Sequence, residues 1–157
     1  MTRRARAVAV TVQNIAGGAR VPEPALVRKW ARSALADDVR GELTVRIVDE
    51  NESAALNSRY RGKKGATNVL SFPAEPPPPG AEELLPFGDV VVCAGVVERE
   101  AREQGKPLAA HWAHMVVHGT LHLQGYDHER AKDATVMEAR ERALLAKLGF
   151  PDPYSIK

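Results

Sequence analysis

Apolar residues in the first part of the chain follow the period of a strand and then that of a helix. Val8, Val10 and Val12 alternate with smaller or polar residues, which predicts a strand with one buried face. The next apolar positions recur at helical spacing and predict an amphipathic helix; they are Leu26, Val27, Trp30, Ala31, Ala34 and Leu35. Strands and helices are therefore expected to alternate at the start of the fold.

A second strand and a second helix follow in the same order. Alternating apolar residues over 43–47 predict the strand. Asp49, followed three residues later by Glu52, is a capping-box pattern, because each residue can satisfy a backbone N–H group at a helix start. The pattern predicts a helix that begins here and runs to about Tyr60.

Two more strands are predicted on either side of a proline-rich segment. Residues 67–72 form the first, and the continuous apolar run over 90–94 is typical of a strand buried on both faces. Between them, residues 73–86 hold six of the eleven prolines. This composition predicts a surface loop without regular structure.

Three helices are predicted in the rest of the chain. Residues 96–104 form a charged amphipathic helix ended by Gly105, and Pro107 suits the first turn of the next helix. The last helix spans 131–148. The predicted fold class is α+β: a small four-stranded mixed sheet with about five helices, in a single domain over residues 1–157.

The composition of the chain constrains the cellular location and the partners of the protein more than its activity. The net charge of +2 is too small to indicate a nucleic-acid binder, so any surface that binds RNA must be basic locally. The single cysteine, Cys93, excludes a disulfide partner within the chain and suits a reducing cytoplasm. No apolar run is long enough to span a bilayer, so we expect a cytoplasmic protein without a membrane partner.

All five histidines fall within residues 111–128. His118 and His122 are four residues apart, so both imidazoles point the same way from a helix. Gly125 is placed to end that helix, and His128 follows on a chain that is free to turn back. Three imidazoles from a helix and its C-terminal turn predict a catalytic zinc site with one open coordination position, holding one Zn²⁺ per chain.

The spacing of these three histidines is that of the metzincin proteases, with one departure. Metzincins carry a glutamate as general base directly after the first histidine, and here that position is Gly119. The spacing of the metal ligands is kept while the protease's base is absent. The sequence therefore counts against peptide hydrolysis.

The same histidines resemble a second family more closely. The segment His118 to His128, with sequence HGTLHLQGYDH, is similar to the signature of the YbeY family of zinc-dependent bacterial endoribonucleases. Residues 56–73, 87–93 and 137–154 also resemble that family. The resemblance implies an α+β fold and a single-strand-specific endoribonuclease. It also implies action on ribosomal RNA or ribosomal subunits, in maturation of the 3′ end of the small-subunit 16S RNA and in ribosome quality control.

A basic cluster precedes the strand predicted at 67–72. It contains Arg59, Arg61, Lys63 and Lys64, and for such a cluster a solvated loop is the ordinary interpretation. Arg61 directly follows Tyr60 in the stretch where the resembled family carries its functional arginine. The resemblance therefore implies that Arg61 is catalytic, binding the phosphodiester and stabilising transition-state charge. Arg59 and Lys63 are predicted to bind the RNA substrate through their positive charge.

Three classes of function remain open at this point: a metal-dependent endoribonuclease, another zinc hydrolase such as a peptidase or amidase, and a protein that zinc merely stabilises. His111 and His114 could contact and orient a metal ligand, replace such a ligand, or lie on the surface. Asp127 could support a metal ligand or cap the turn.

Overall fold

The computed structural model describes residues 8–16, 20–74, 79, 86–127 and 129–155. The predicted metal ligand His128 lies outside the described residues, and so does most of the proline-rich segment. The assignment of residues 1–157 to a single domain stays a prediction.

Four strands form one mixed sheet in the order β1-β2-β4-β3. The strands are β1 (Ala9–Asn14), β2 (Glu42–Val48), β3 (Val69–Pro73) and β4 (Pro86–Cys93). Strand β2 runs parallel to both β1 and β4, whereas β3 runs antiparallel to β4 and lies at the edge of the sheet. The predicted four-stranded mixed sheet is confirmed.

Five helices complete the part of the chain that the structure describes. They are α1 (Pro24–Ser33), α2 (Glu50–Arg61), α3 (Ala94–Gln104), α4 (Leu108–Leu123) and α5 (Ala131–Lys147). Gly62 and Gly105 directly follow α2 and α3 and adopt the left-handed conformation, which commonly ends a helix. No helix in the described ranges has the length and apolar character needed to cross a membrane. The predicted α+β class is confirmed.

Two local predictions need correction. The segment 73–86 is not a loop throughout, because Pro73 and Pro86 are strand residues at the ends of β3 and β4, where a missing N–H group costs little. The capping box is only half formed: Asp49 accepts a hydrogen bond from the Glu52 amide at 2.8 Å. The Glu52 carboxylate instead pairs with Arg46 at 2.8 Å.

The sheet is covered on both faces. Helices α1 and α4 pack on the face that carries Val45 and Val90, and α2 packs on the opposite face, which carries Leu70 and Val91. Helix α4 is buried on nearly every side, and its Trp112 is fully buried. Burial in the interior fixes this helix as the rigid support for the histidines, as a functional site requires.

Candidate metal centre and groove

The histidines of α4 form a continuous row along the helix. Ring centroids are 6.2 Å apart for His111 and His114, 6.0 Å for His114 and His118, and 4.7 Å for His118 and His122. His111 and His114 are only 3% and 6% exposed, so the surface alternative for these two residues is wrong. The row passes from the interior at His111 to the partly exposed His118.

The turn after α4 follows the sequence prediction. Gly125 has φ of 96°, which favours glycine, and its amide donates to the carbonyl of His122 at 3.0 Å. Asp127 then accepts a hydrogen bond from the amide of Glu129 at 3.0 Å. Asp127 therefore caps the turn, one of its two predicted roles.

A buried carboxylate lies behind the histidine row. Glu141 of α5 is fully buried, and its Oε2 lies 2.6 Å from Nδ1 of His118 and 3.3 Å from Nε2 of His114. The hydroxyl of Tyr154 donates to its Oε1. Burial by itself raises the pKa of Glu141, but the hydrogen bonds from these three side chains outweigh it and lower the pKa to about 2.

Sequence reasoning missed Glu141, although a signal was present. In the helix predicted over 131–148, one side carries the apolar residues Met137, Leu144, Leu145 and Leu148. Position 141 lies four residues after Met137 and falls on the same side, so a charged residue interrupts an apolar stripe. A buried charge without a partner is very unfavourable, and such an interruption indicates a specific polar partner in the interior.

Glu141 also belongs to a cluster that could hold a metal ion. His114, His118 and Glu141 each offer one ligand atom, and these atoms lie within 4.8 Å of one another. Ligand atoms about 2.1 Å from a tetrahedral ion are about 3.4 Å apart. The 2.6 Å contact between His118 and Glu141 is shorter than that, so an ion between them requires this hydrogen bond to open.

On the other side of His118 lies an open groove of about 730 Å³. Its lining includes His118 and His122 together with Arg61, the last residue of α2, and Lys63, which follows that helix. The structure thus brings two predicted metal ligands and two predicted RNA-binding residues into one groove. Arg59 is not among the residues that line it, and its part in substrate binding stays a prediction.

The basic segment is held in place by two buried polar residues of α2. The Asn57 side chain donates to the carbonyl of Gly65 at 2.9 Å, and Ser53 exchanges hydrogen bonds with the backbone of Thr67 at 3.0 Å. Both side chains are nearly inaccessible to solvent. The backbone that carries Arg61 and Lys63 is therefore pinned to the fold, although the two charged side chains are exposed.

Asn68 and Ser71 depart from the strand periodicity that would place them on opposite faces. Both line the groove, because Asn68 precedes β3 and is not bound by its alternation. Asn68 donates to Glu100 at 3.2 Å, and Ser71 donates to the carbonyl of Gly119 at 2.7 Å. These hydrogen bonds connect the start of β3 to α3 and the middle of β3 to α4.

His111 has its own carboxylate partner. Its Nε2 lies 2.8 Å from Oε1 of Glu100, which is partly exposed. Burial lowers the pKa of His111 below its ordinary value, and the hydrogen bond and charge of Glu100 offset this only in part. A second histidine–carboxylate pair thus lies near the start of α4, with the contact made through Nε2 instead of Nδ1.

The fold and the site together define a small α+β protein with a histidine-lined groove beside a basic segment. The chain belongs to the YbeY family, because the family profile described as Endoribonuclease YbeY matches residues 20–149. The resemblance expected from the sequence is therefore confirmed.

Individual relatives agree with this assignment. A protein of Methylococcus capsulatus named endoribonuclease YbeY is 60% identical over 134 residues, covering 85% of this chain and 87% of the relative. A protein of Halorhodospira halophila with the same name is 60% identical over 144 residues, covering 90% and 93%. The solution structure of a Thermotoga maritima protein is similar with a TM-score of 0.58, at 24% identity over 94% of this chain and 99% of that chain. At this identity the similarity concerns the fold alone.

Proposed function

We propose that this protein is a zinc-dependent endoribonuclease that cleaves single-stranded RNA. The observation that carries the proposal is the meeting of His118, His122 and Arg61 in one groove. Two helices that are distant in sequence bring potential metal ligands and a permanent positive charge together. Both kinds of group promote hydrolysis of a phosphodiester, the metal by Lewis-acid activation and the positive charge by stabilising the transition state.

The metal ligands proposed are His118, His122 and His128, with one Zn²⁺ per chain. The donor set fits zinc, because imidazole nitrogens suit it well and the first two rings are 4.7 Å apart on one side of α4. The carboxylate of Glu141 accepts a hydrogen bond from Nδ1 of His118, and a neutral imidazole that donates from Nδ1 carries its lone pair on Nε2. When bound, zinc would supply Lewis-acid activation of water or of a phosphoryl oxygen.

Arg61 is proposed to bind the phosphodiester and to stabilise the charge that develops during cleavage. Arginine is always charged and can offer two parallel N–H groups to phosphate oxygens. Its position as the last residue of α2, followed by the left-handed Gly62, fixes where the side chain starts. Lys63 lies in the same groove and Arg59 lies outside its lining, and both are proposed to bind the RNA backbone.

The RNA proposed as substrate is ribosomal, and the proposed role is processing of small-subunit 16S RNA at its 3′ end and ribosome quality control in the cytoplasm. Membership of the YbeY family and the names of the relatives support this. An exposed aromatic residue, Tyr60, beside Arg61 supports a single-stranded substrate, because unpaired bases stack on such rings.

Another zinc hydrolase, such as a peptidase or amidase, is the alternative that the histidine spacing permits. The packing around Gly119 opposes the metzincin version of it. A Cβ atom there would lie 2.7 Å from Val90 Cγ1 and 2.9 Å from Val69 Cγ2, so this position faces the sheet. The helix is thus too close to the sheet at this point for a glutamate.

The decisive experiment combines RNA cleavage with metal analysis on the purified protein. We expect cleavage of single-stranded RNA, little cleavage of duplex RNA, no turnover of casein, and about one zinc per chain. His118→Ala and His122→Ala should both lose the zinc and the cleavage. Zinc-dependent casein turnover would instead support the alternative.

A matched variant tests where the ion binds. His114→Ala should retain zinc if the ligands are on the groove side of His118. If the ion instead lies among His114, His118 and Glu141, His114→Ala should lose it and His122→Ala should keep it. That outcome would overturn the proposed ligand set.

A further inference from the structure

Glu141 and Tyr154 lie behind the histidine row, and their contacts converge on His114 and His118. Glu141 is fully buried on the core side of α5, among apolar neighbours such as Met137 and Leu145. An ionised carboxylate in such a place must be satisfied by hydrogen-bond donors, or it strongly destabilises the fold. The side chains that donate hydrogen bonds to Glu141 are therefore the ones whose position it can fix.

The short contact between Glu141 and His118 determines the state of the imidazole. An ionised carboxylate only accepts hydrogen bonds, so the 2.6 Å contact requires the proton of His118 to lie on Nδ1. The same bond restricts rotation of the ring about its Cβ–Cγ bond. The contact thus holds His118 in one orientation with Nδ1 as donor, and in the neutral imidazole Nε2 is then the nitrogen able to bind a metal.

Tyr154 holds the second oxygen of the same carboxylate. Its hydroxyl donates to Oε1 of Glu141 and lies 3.2 Å from Nε2 of His114. Its ring also packs edge-on against the His114 ring, with centroids 5.3 Å apart. Glu141 is therefore fixed from two sides, by α4 and by the segment that follows α5.

That C-terminal segment is itself anchored at several points. Arg142 pairs with Asp152 at 3.2 Å and lies over the Tyr154 ring, 5.3 Å from its centroid. Lys106 donates to the carbonyl of Pro153 at 2.9 Å. Phe150 packs against Trp30 with ring centroids 5.9 Å apart. These contacts hold the C-terminal segment, and with it the hydroxyl of Tyr154, in place.

We propose that Glu141, supported by Tyr154, is a positioning residue that orients His118 for metal binding, so that the segment 150–155 is a working part of the metal centre. The proposal rests on the proposed function in one respect, that His118 is a metal ligand. Carboxylates that orient ligating histidines raise metal affinity in other metalloproteins, and their loss typically costs 10- to 100-fold.

The test compares two isosteric variants with a matched control. Glu141→Gln removes the charge with little change of shape, and Tyr154→Phe removes only the hydroxyl. Glu100→Gln is the control, because it alters the equivalent carboxylate of His111 and leaves His118 untouched. Affinity for Zn²⁺ is measured by competition with a chelator, and the visible spectrum of the Co²⁺-loaded protein reports the geometry of the ligands.

We expect Glu141→Gln to weaken Zn²⁺ binding roughly 10- to 100-fold and to change the Co²⁺ spectrum. Tyr154→Phe should weaken binding by a smaller factor, and Glu100→Gln should leave both measurements at wild-type values. If Glu141→Gln and Glu100→Gln lose affinity equally, the carboxylate is only structural and the inference is wrong. Should Glu141→Gln fail to fold, wild-type affinity in Tyr154→Phe is sufficient to overturn it.

His118→Ala separates this inference from the function on which it rests. If His118→Ala loses zinc while Glu141→Gln and Tyr154→Phe bind it normally, the positioning role is wrong and the proposed function stands. If His118→Ala retains zinc, the proposed ligand set is wrong and the positioning role is excluded with it.

Discussion

Ser71 of the edge strand β3 donates a hydrogen bond to the carbonyl of Gly119 in α4, over 2.7 Å. The contact is possible because Gly119 has no side chain: a Cβ atom there would lie 2.7 Å from Val90 Cγ1. The histidine helix and the sheet are therefore in close contact directly beside His118. This contact fixes the distance between the helix and the strand that border the groove.

Gly119→Ala should destabilise the protein. The added methyl group must displace side chains of β3 and β4, and overpacking of this kind typically costs about 1–3 kcal/mol. Alanine by itself favours a helix over glycine by about 0.5–1 kcal/mol, so the measured loss is the difference of the two effects. Urea unfolding followed by circular dichroism gives the free energy of unfolding.

Gly95→Ala is the control for that experiment. Gly95 is also helical, but a Cβ atom there would meet the Oε2 end of Glu50, a flexible and half-exposed side chain that can move away. We expect Gly95→Ala to be neutral or stabilising by up to about 1 kcal/mol. Equal effects at the two glycines would contradict the close approach inferred at Gly119.

Arg61→Ala should keep the fold and the metal but lose ~10²-fold or more in the rate of RNA cleavage, the scale known for other groups that stabilise a transition state. Arg61→Lys should restore only part of the rate, because a point charge does not reproduce two parallel hydrogen bonds. Single-turnover cleavage of a labelled RNA measures this step apart from binding.

Lys63→Ala and Arg59→Ala are the comparison for Arg61. Both should mainly weaken RNA binding and reduce the dependence of affinity on salt, since each removes a contact to the backbone charge. Arg59 lies outside the lining of the groove, and we expect the smaller effect there. Equal and modest losses in all three alanine variants would show that the segment is merely basic.

Tyr60 should contribute to binding of single-stranded RNA. The residue is 58% exposed, and its ring makes a T-shaped contact with Phe72 with centroids 5.2 Å apart, so much of the side chain is accessible to a base. Tyr60→Ala should weaken binding of a short single-stranded RNA, whereas Tyr60→Phe should retain it. Fluorescence anisotropy with a labelled oligonucleotide measures both. A loss in Tyr60→Phe as large as in Tyr60→Ala would argue for the hydroxyl instead of the ring.

His111 should make the protein less stable as the pH falls below about 6.5. The pKa of His111 in the folded protein is lower than its ordinary value of 6.5, so the unfolded chain takes up a proton more readily over this range. Well above pH 6.5 the residue is neutral in both states and has no such effect. His111→Gln should therefore lose less stability than wild type between pH 7.5 and 5.5, as measured by urea unfolding at each pH. The same loss in both proteins would contradict the prediction.

The sequence by itself determined most of the elements and the identity of the candidate ligands. Alternation at Val8 to Val12 and the helical spacing from Leu26 to Leu35 are local patterns, and local patterns are sufficient to choose between strand and helix. Likewise, the four-residue spacing of His118 and His122 follows from the helix alone. Gly125 ended that helix as predicted, because its backbone freedom is a property of the residue itself.

Only the tertiary structure decided what surrounds these ligands. Glu141 and Tyr154, which contact His118 and His114, come more than 20 residues later in the chain. No local period in the sequence connects a carboxylate on α5 with an imidazole on α4. The meaning of Gly119 was also hidden. In the sequence, Gly119 stands where metzincins carry their glutamate base. In the fold, it is a residue at which α4 and the sheet are in close contact. Such contacts depend on how the helices and strands pack. Packing brings together residues that are far apart in the chain, and local sequence patterns do not show which residues these are.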